Sequence, residues 1–147
     1  MKMKQNIEVD APRETVWDAI VDPSNRPRWQ SELSALEPVS GDPGAVGFVA
    51  RRIVRDGSTA GLESVSEARR PDFVAFIVEE DDKKTLIVHT LTAAGDGTRW
   101  QAFSNTGFRG LARLTSLFSA GRLREQLEND LQRCKLMIES DAAGGSA

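Results

Sequence analysis

The 147-residue chain has no tyrosine, one histidine and one cysteine. A lone cysteine excludes an internal disulfide, and Cys134 falls on the apolar stripe of a helical pattern, where a thiol is buried and inert rather than nucleophilic. A reducing, cytoplasmic setting is the expectation. One histidine, one cysteine on a distant helix and no paired acidic motif supply no cluster of metal ligands, and no cofactor is expected. Basic charge is scarce too: 19 Lys and Arg stand against 22 Asp and Glu, a net charge of −3. That balance builds no positive field for nucleic acid, and the mixing of signs makes no acidic tail. No run approaches the roughly 20 apolar residues that span a bilayer, and MKMKQNIEVD alternates where a signal peptide would be continuously apolar. A nucleophile elbow, a phosphate loop and a dinucleotide fingerprint are all missing; Gly107-Phe-Arg-Gly110 has the wrong spacing.

What the chain does have is a long amphipathic pattern near its C-terminus. Leu111, Leu114, Phe118, Leu123, Leu127, Leu131, Cys134 and Ile138 recur at three- and four-residue steps, with arginines and glutamates on the other face. A helix from about Gly110 to Ile138 spans roughly 40 Å, enough to cross a whole layer, and Gly121 is expected to bend it. The alternating charges of Arg122 to Arg133 read as a wet helix face. Residues 141–147, DAAGGSA, read as a flexible tail beyond a single domain over 1–140.

Upstream, the periodicity predicts a sheet. Met3 to Val9 alternates as a first strand, and PRETVWDAIVDP follows as a short helix with Trp17 in the core. A second short helical turn carries Trp29 and Leu33. From Gly44 the period becomes two, giving strands over 46–55, 59–68, 73–80, 85–93 and 98–105, with turns at Asp56-Gly57, Asp81 to Lys84 and Gly95-Asp96-Gly97. The order is strand, two short helices, five strands, long helix: an α+β domain with six antiparallel strands.

Alternation sends Trp100, Ala102 and Ser104 toward the helix. A two-residue turn at Gly95-Asp96 pairs His89 with Ala102 and Leu91 with Trp100, and puts Ile87 on the same inner face; a three-residue loop reverses it. A two-residue turn at Asp81-Asp82 pairs Phe76 with Ile87 and brings Val74 and Val78 inward. The strands over 46–68 give no such choice, because Arg51 and Arg52 fall on opposite sides and Glu63 and Glu67 share one with Val65. A helix about 10 Å across cannot cover six twisted strands, so a cavity is expected, closed by a lid bearing Trp29 and Leu33. Its lining is Phe76, Ile87, His89, Leu91, Trp100, Ala102, Leu114 and Phe118, with Ser104 as a further polar group. Trp29 and Trp100 read equally as ligand walls or core. Arg51-Arg52 and Arg69-Arg70 could anchor an anionic group, but solvated strand ends account for them better.

With VDAPRETVWDAIVDPSNRPRWQ near the start, Gly44 to Phe48, GDGTRWQAF and LENDLQRCKLMIE, the chain resembles the SRPBCC superfamily, the helix-grip fold of START lipid-transfer domains, birch-pollen-allergen-like proteins and polyketide cyclase/dehydrase-like proteins. The resemblance covers nearly the whole chain and implies a C-terminal helix gripping a sheet over a hydrophobic tunnel. It leaves function open, because its motifs are structural. The leading expectation is a binder of a small hydrophobic ligand, a lipid, isoprenoid or polyketide, working as monomer or homodimer without membrane insertion. A cyclase/dehydratase with His89 as acid/base, oriented by Glu63 or Glu67, is the alternative; the absence of tyrosine removes one proton donor usual in such sites. A third possibility is a protein-interaction module of toxin–antitoxin type.

Overall fold

A computed structural model of the chain describes residues 1–145, without the side chains of residues 117 and 118. One antiparallel sheet carries seven strands: β1 Lys2–Val9, β2 Leu33–Ser40, β3 Val49–Val54, β4 Thr59–Arg69, β5 Phe73–Glu79, β6 Lys83–Ala94 and β7 Gly97–Phe108. Their order across the sheet is β1-β7-β6-β5-β4-β3-β2. Between β1 and β2 lie α1 Arg13–Val21 and α2 Arg26–Trp29, and α3 Ala112–Gly145 closes the chain. This is the helix-grip architecture, with one strand more than the six expected.

The extra strand is β2, and its sequence hides it. Leu33 and Leu36 are both buried although three residues apart, a helical spacing, because the register shifts between Leu33 and Ala35. Such a bulge lets two inward residues break the two-residue period. Leu33 therefore belongs to the sheet and not to a helical lid. Pro38 is tolerated because β2 is an edge strand. A second bulge, between Val65 and Glu67 of β4, turns Glu67 outward while Glu63 and Val65 face in. In β3, Ala50 and Arg52 face inward and Arg51 outward, which settles the side that alternation left open.

The two β-turn expectations hold. His89 pairs with Ala102 and Leu91 with Trp100; Phe76 pairs with Ile87. Val74, Phe76, Val78, Trp100, Ala102 and Ser104 are all buried. The helix α3 runs on through Gly121 and continues to Gly145, into the segment expected to be a flexible tail. It packs on β1, β7, α1 and α2. The face it buries carries Leu131, Cys134 and Ile138, joined by Leu127 and Met137 at the margin. Its start is different: Leu111, just before it, is 81% exposed and Leu114, on its first turn, 69%. No helix among the described residues is long and apolar enough to cross a membrane.

Candidate functional site

The space between α3 and the sheet divides into a filled end and a hollow end. At the filled end, α1 and α2 press Trp17, Ile20 and Trp29 onto Val74, Phe76, Leu91 and Trp100. Trp29 stands edge-on to Trp100 at 5.9 Å, and its Nε1–H donates to the Ala19 carbonyl at 2.9 Å. Trp100 Nε1–H donates to His89 Nδ1 at 3.0 Å, and the Phe76 ring lies edge-on to the imidazole at 5.9 Å. An imidazole held as an acceptor in an apolar cage is held neutral. Burial, helped by repulsion from Arg26, pushes His89 down to about 3. The Cys134 thiol is likewise buried and pushed up to about 12, so it is not a nucleophile at neutral pH.

A chain of buried charges leads from this core to the hollow end. Arg26 donates to both oxygens of Glu63, at 2.9 and 2.7 Å, and its Nε–H to Gln30 Oε1 at 2.9 Å. The other side of Glu63 faces Arg52, whose Nε lies 4.0 Å from Oε1. Arg52 in turn donates from Nη2 to Glu32 Oε1 at 2.5 Å. Burial works against the Glu32 carboxylate, but attraction and hydrogen bonding from Arg52 outweigh it and hold the group below its ordinary value. The pairing makes two buried arginines tenable; either alone would be an uncompensated charge in the core.

The hollow end is a cavity of about 140 Å³ beneath Leu123, Gln126, Leu127 and Asp130 of α3. Its floor is Val78 on β5, Ile87 on β6, Ala102 and Phe108 on β7, and Met3 on β1. One wall is a row of hydroxyls: Ser104 and Thr106 are successive inward residues of β7, and Thr106 bonds across to Thr85 at 3.1 Å. Charged side chains also line the cavity: Arg52, Glu32, Glu80 and Lys83. Burial raises the Glu80 carboxyl above its ordinary value. Asp130 is raised for the same reason, although it accepts the Ser31 amide at 3.1 Å. Among the described residues, two buried side-chain polar atoms lack a hydrogen-bond partner, Arg52 Nε and Ser104 Oγ, and both residues line this cavity. No group of three or more His, Cys, Asp or Glu that could hold a metal occurs among them.

Of the residues expected to bind ligand, Ile87 and Ala102 line the cavity. Trp29, Phe76, His89, Leu91 and Trp100 do not; they make up the filled end, and Leu33 is buried on β2 outside the cavity lining. Leu114, on the first turn of α3, is exposed. The Phe118 side chain lies outside the described residues. His89 lacks the orienting carboxylate proposed for it: Glu63 is taken by Arg26, and Glu67 is turned out by the bulge. Sequence reasoning set Arg52 aside as a solvated strand end and missed Glu32, Glu80 and Asp130. The inward series Trp100, Ala102, Ser104 continues to Thr106, a signal that was available had β7 been carried past residue 105.

The chain matches the family described as polyketide cyclase/dehydrase and lipid transport over residues 1–139. Among solved structures it is similar to TTHA0849 of Thermus thermophilus, at 16% identity and a TM-score of 0.78, covering 96% of this chain and 99% of that one. It is similar to Ara h 8.0201, at 16% identity and a TM-score of 0.74, covering 95% and 98%. DynU16, a protein of the dynemicin biosynthetic locus, is similar at 20% identity and a TM-score of 0.72, over 95% of this chain and 48% of that one. At these identities the likeness is one of fold. No curated protein matches the chain in sequence.

Proposed function

The chain belongs to the polyketide cyclase/dehydrase and lipid transport family, and from that premise we propose that it binds a small hydrophobic ligand of the lipid, isoprenoid or polyketide kind. The ligand sits between the sheet and α3. The observation that supports this is the cavity itself: Val78, Ile87 and Ala102 below and Leu123 and Leu127 above give it apolar surfaces, and hydroxyl and charged side chains complete its walls, the mix of a small-molecule site. An acid/base reaction through His89 has less support, because that imidazole faces Trp100 and Phe76 rather than the cavity and is neutral down to about pH 3. The family and the fold are compatible with either class, so the weight rests on where the open space lies.

Native mass spectrometry of the purified protein, followed by titration with representatives of the three ligand classes, tests the reading. Leu127→Trp should fill the cavity from the helix side and abolish binding while the protein stays folded. Unchanged binding in that variant would remove the cavity from consideration.

A further inference from the structure

The arginines of the chain fall into two groups. Every arginine before residue 100 has a side-chain partner: a carboxylate in most cases, the Ser31 carbonyl for Arg55 and the Phe73 ring for Arg69. Arg109, Arg113, Arg122 and Arg124 have none among the described residues, and all are exposed. They belong to a stretch, residues 97–124, that holds no aspartate or glutamate in a chain of net charge −3. We propose that the start of α3, over residues 109–116, is a docking surface for an anionic lipid bilayer.

The leucines single out a bilayer. Leu111 is 81% and Leu114 69% exposed, in the midst of these unpaired cations. Leu123, which covers the cavity, comes about two and a half turns after Leu114, so Leu114 stands on the face of α3 turned away from the cavity. By the same period Arg113 and Arg124 fall to one side of Leu114 and Arg122 to the other. An apolar stripe bordered by cations is how a helix lies in a membrane interface, with leucines at the acyl boundary and guanidinium groups at the phosphates. A nucleic acid would use the arginines and leave the leucines in water.

Acidic groups nearby limit the attraction. The Arg109 amide donates to the Asp82 carbonyl at 2.8 Å, so the tip between β5 and β6, with exposed Asp81 and Asp82, lies beside the surface. Glu79 and Glu80 at that tip are paired with Lys84 and Lys83, and Glu125 follows Arg124 along the helix. The positive excess is therefore small, and adsorption is weak, reversible and salt-sensitive. It does not depend on a ligand in the cavity, so it stands or falls apart from that reading.

Vesicle flotation of the full chain tests this. The vesicles are phosphatidylcholine alone, or phosphatidylcholine with about 30% phosphatidylglycerol, in salt of about 0.05 M and about 0.5 M. Partitioning should be at least about 10-fold higher onto the anionic vesicles in low salt, and that preference should vanish in high salt. Arg109→Gln combined with Arg113→Gln should lower it about 25-fold, at about 5-fold per arginine. Leu111→Gln combined with Leu114→Gln should lower it about 10-fold. Leu136→Gln, which removes a leucine 65% exposed in the later turns of α3, should change nothing. All these side chains are exposed, and circular dichroism checks that each variant is folded. Equal partitioning onto both vesicle types, no adsorption to either, or a loss in Leu136→Gln matching that of the leucine pair would overturn the proposal. So would retention of RNA by a protein that leaves anionic vesicles untouched.

Discussion

The two ends of the space under α3 are built from the same strands yet solve opposite problems. At the filled end, aromatic side chains meet edge to face, and two of the indole N–H groups have acceptors, Ala19 for Trp29 and His89 for Trp100. At the hollow end no tryptophan enters the lining, and Arg52 Nε and Ser104 Oγ have no hydrogen-bond partner among the described residues. The difference teaches that the residues which look most like a binding site, the tryptophans and the histidine, are the ones that satisfy one another. Open space is left where the partners run out.

That contrast can be broken at several points. The largest effect is expected at the charge chain that joins the two ends. Glu63→Leu strands Arg26 and deprives Arg52 of a partner, and urea denaturation should show a loss of about 3–5 kcal/mol. A loss below about 1 kcal/mol would mean that the chain is wet rather than buried.

Next comes the pH dependence of the filled end. Between an ordinary value of 6.5 and the depressed value of about 3, the unfolded chain binds a proton at His89 that the fold refuses. Stability contributed by the neutral imidazole is therefore complete above about pH 6.5 and is lost as pH falls toward 3, at up to about 1.4 kcal/mol per pH unit. Glu80 and Asp130, whose carboxyls are raised by burial, pull the other way by taking protons more readily in the fold. Comparing unfolding free energies of the native chain and His89→Asn across pH 6.5 to 4 isolates the histidine. The variant should be less stable near pH 6.5, but its slope should be shallower by about one proton, so that the gap narrows as pH falls, and parallel curves would refute the caged imidazole.

A smaller effect on stability, about 1.5 kcal/mol or less, is expected for the cavity-filling Leu127→Trp, since it adds volume where space exists. A much larger loss in thermal unfolding would show that the hollow end is already full. Smallest of all is Leu114→Lys on the exposed first turns of α3, which should shift stability by no more than about 0.5 kcal/mol. A larger loss would place that leucine in contact with the sheet.

How far the fold was legible depended on period. Strands with strict alternation, such as β6 and β7, revealed their inner face and even their pairing once the turn length was assumed, because a two-residue step admits only two answers. Where the register shifts, as at Leu33/Ala35 and Val65/Glu67, the step fails locally, and with it went the seventh strand and the facing of Glu67. The site was less legible than the fold. A sequence marks which residues are apolar, but whether Trp100 packs against Trp29 or against a ligand is decided by how much volume α1 and α2 bring with them. Arg52 shows the reverse error: an arginine in a pair on a strand reads as solvent-facing unless its partners are known, and those partners, Glu32 and Glu63, come from the turn before β2 and from β4.

The central claim is that ligand enters the hollow end and leaves the aromatic cluster untouched. Its most direct test is an intermolecular NOE experiment on methyl-labelled protein with p-cresol bound. Contacts from the ligand ring to the methyl groups of Ile87 and Leu127, with the indole protons of Trp29 and Trp100 unaffected, are the result expected. Contacts to either indole with Ile87 and Leu127 silent would contradict it.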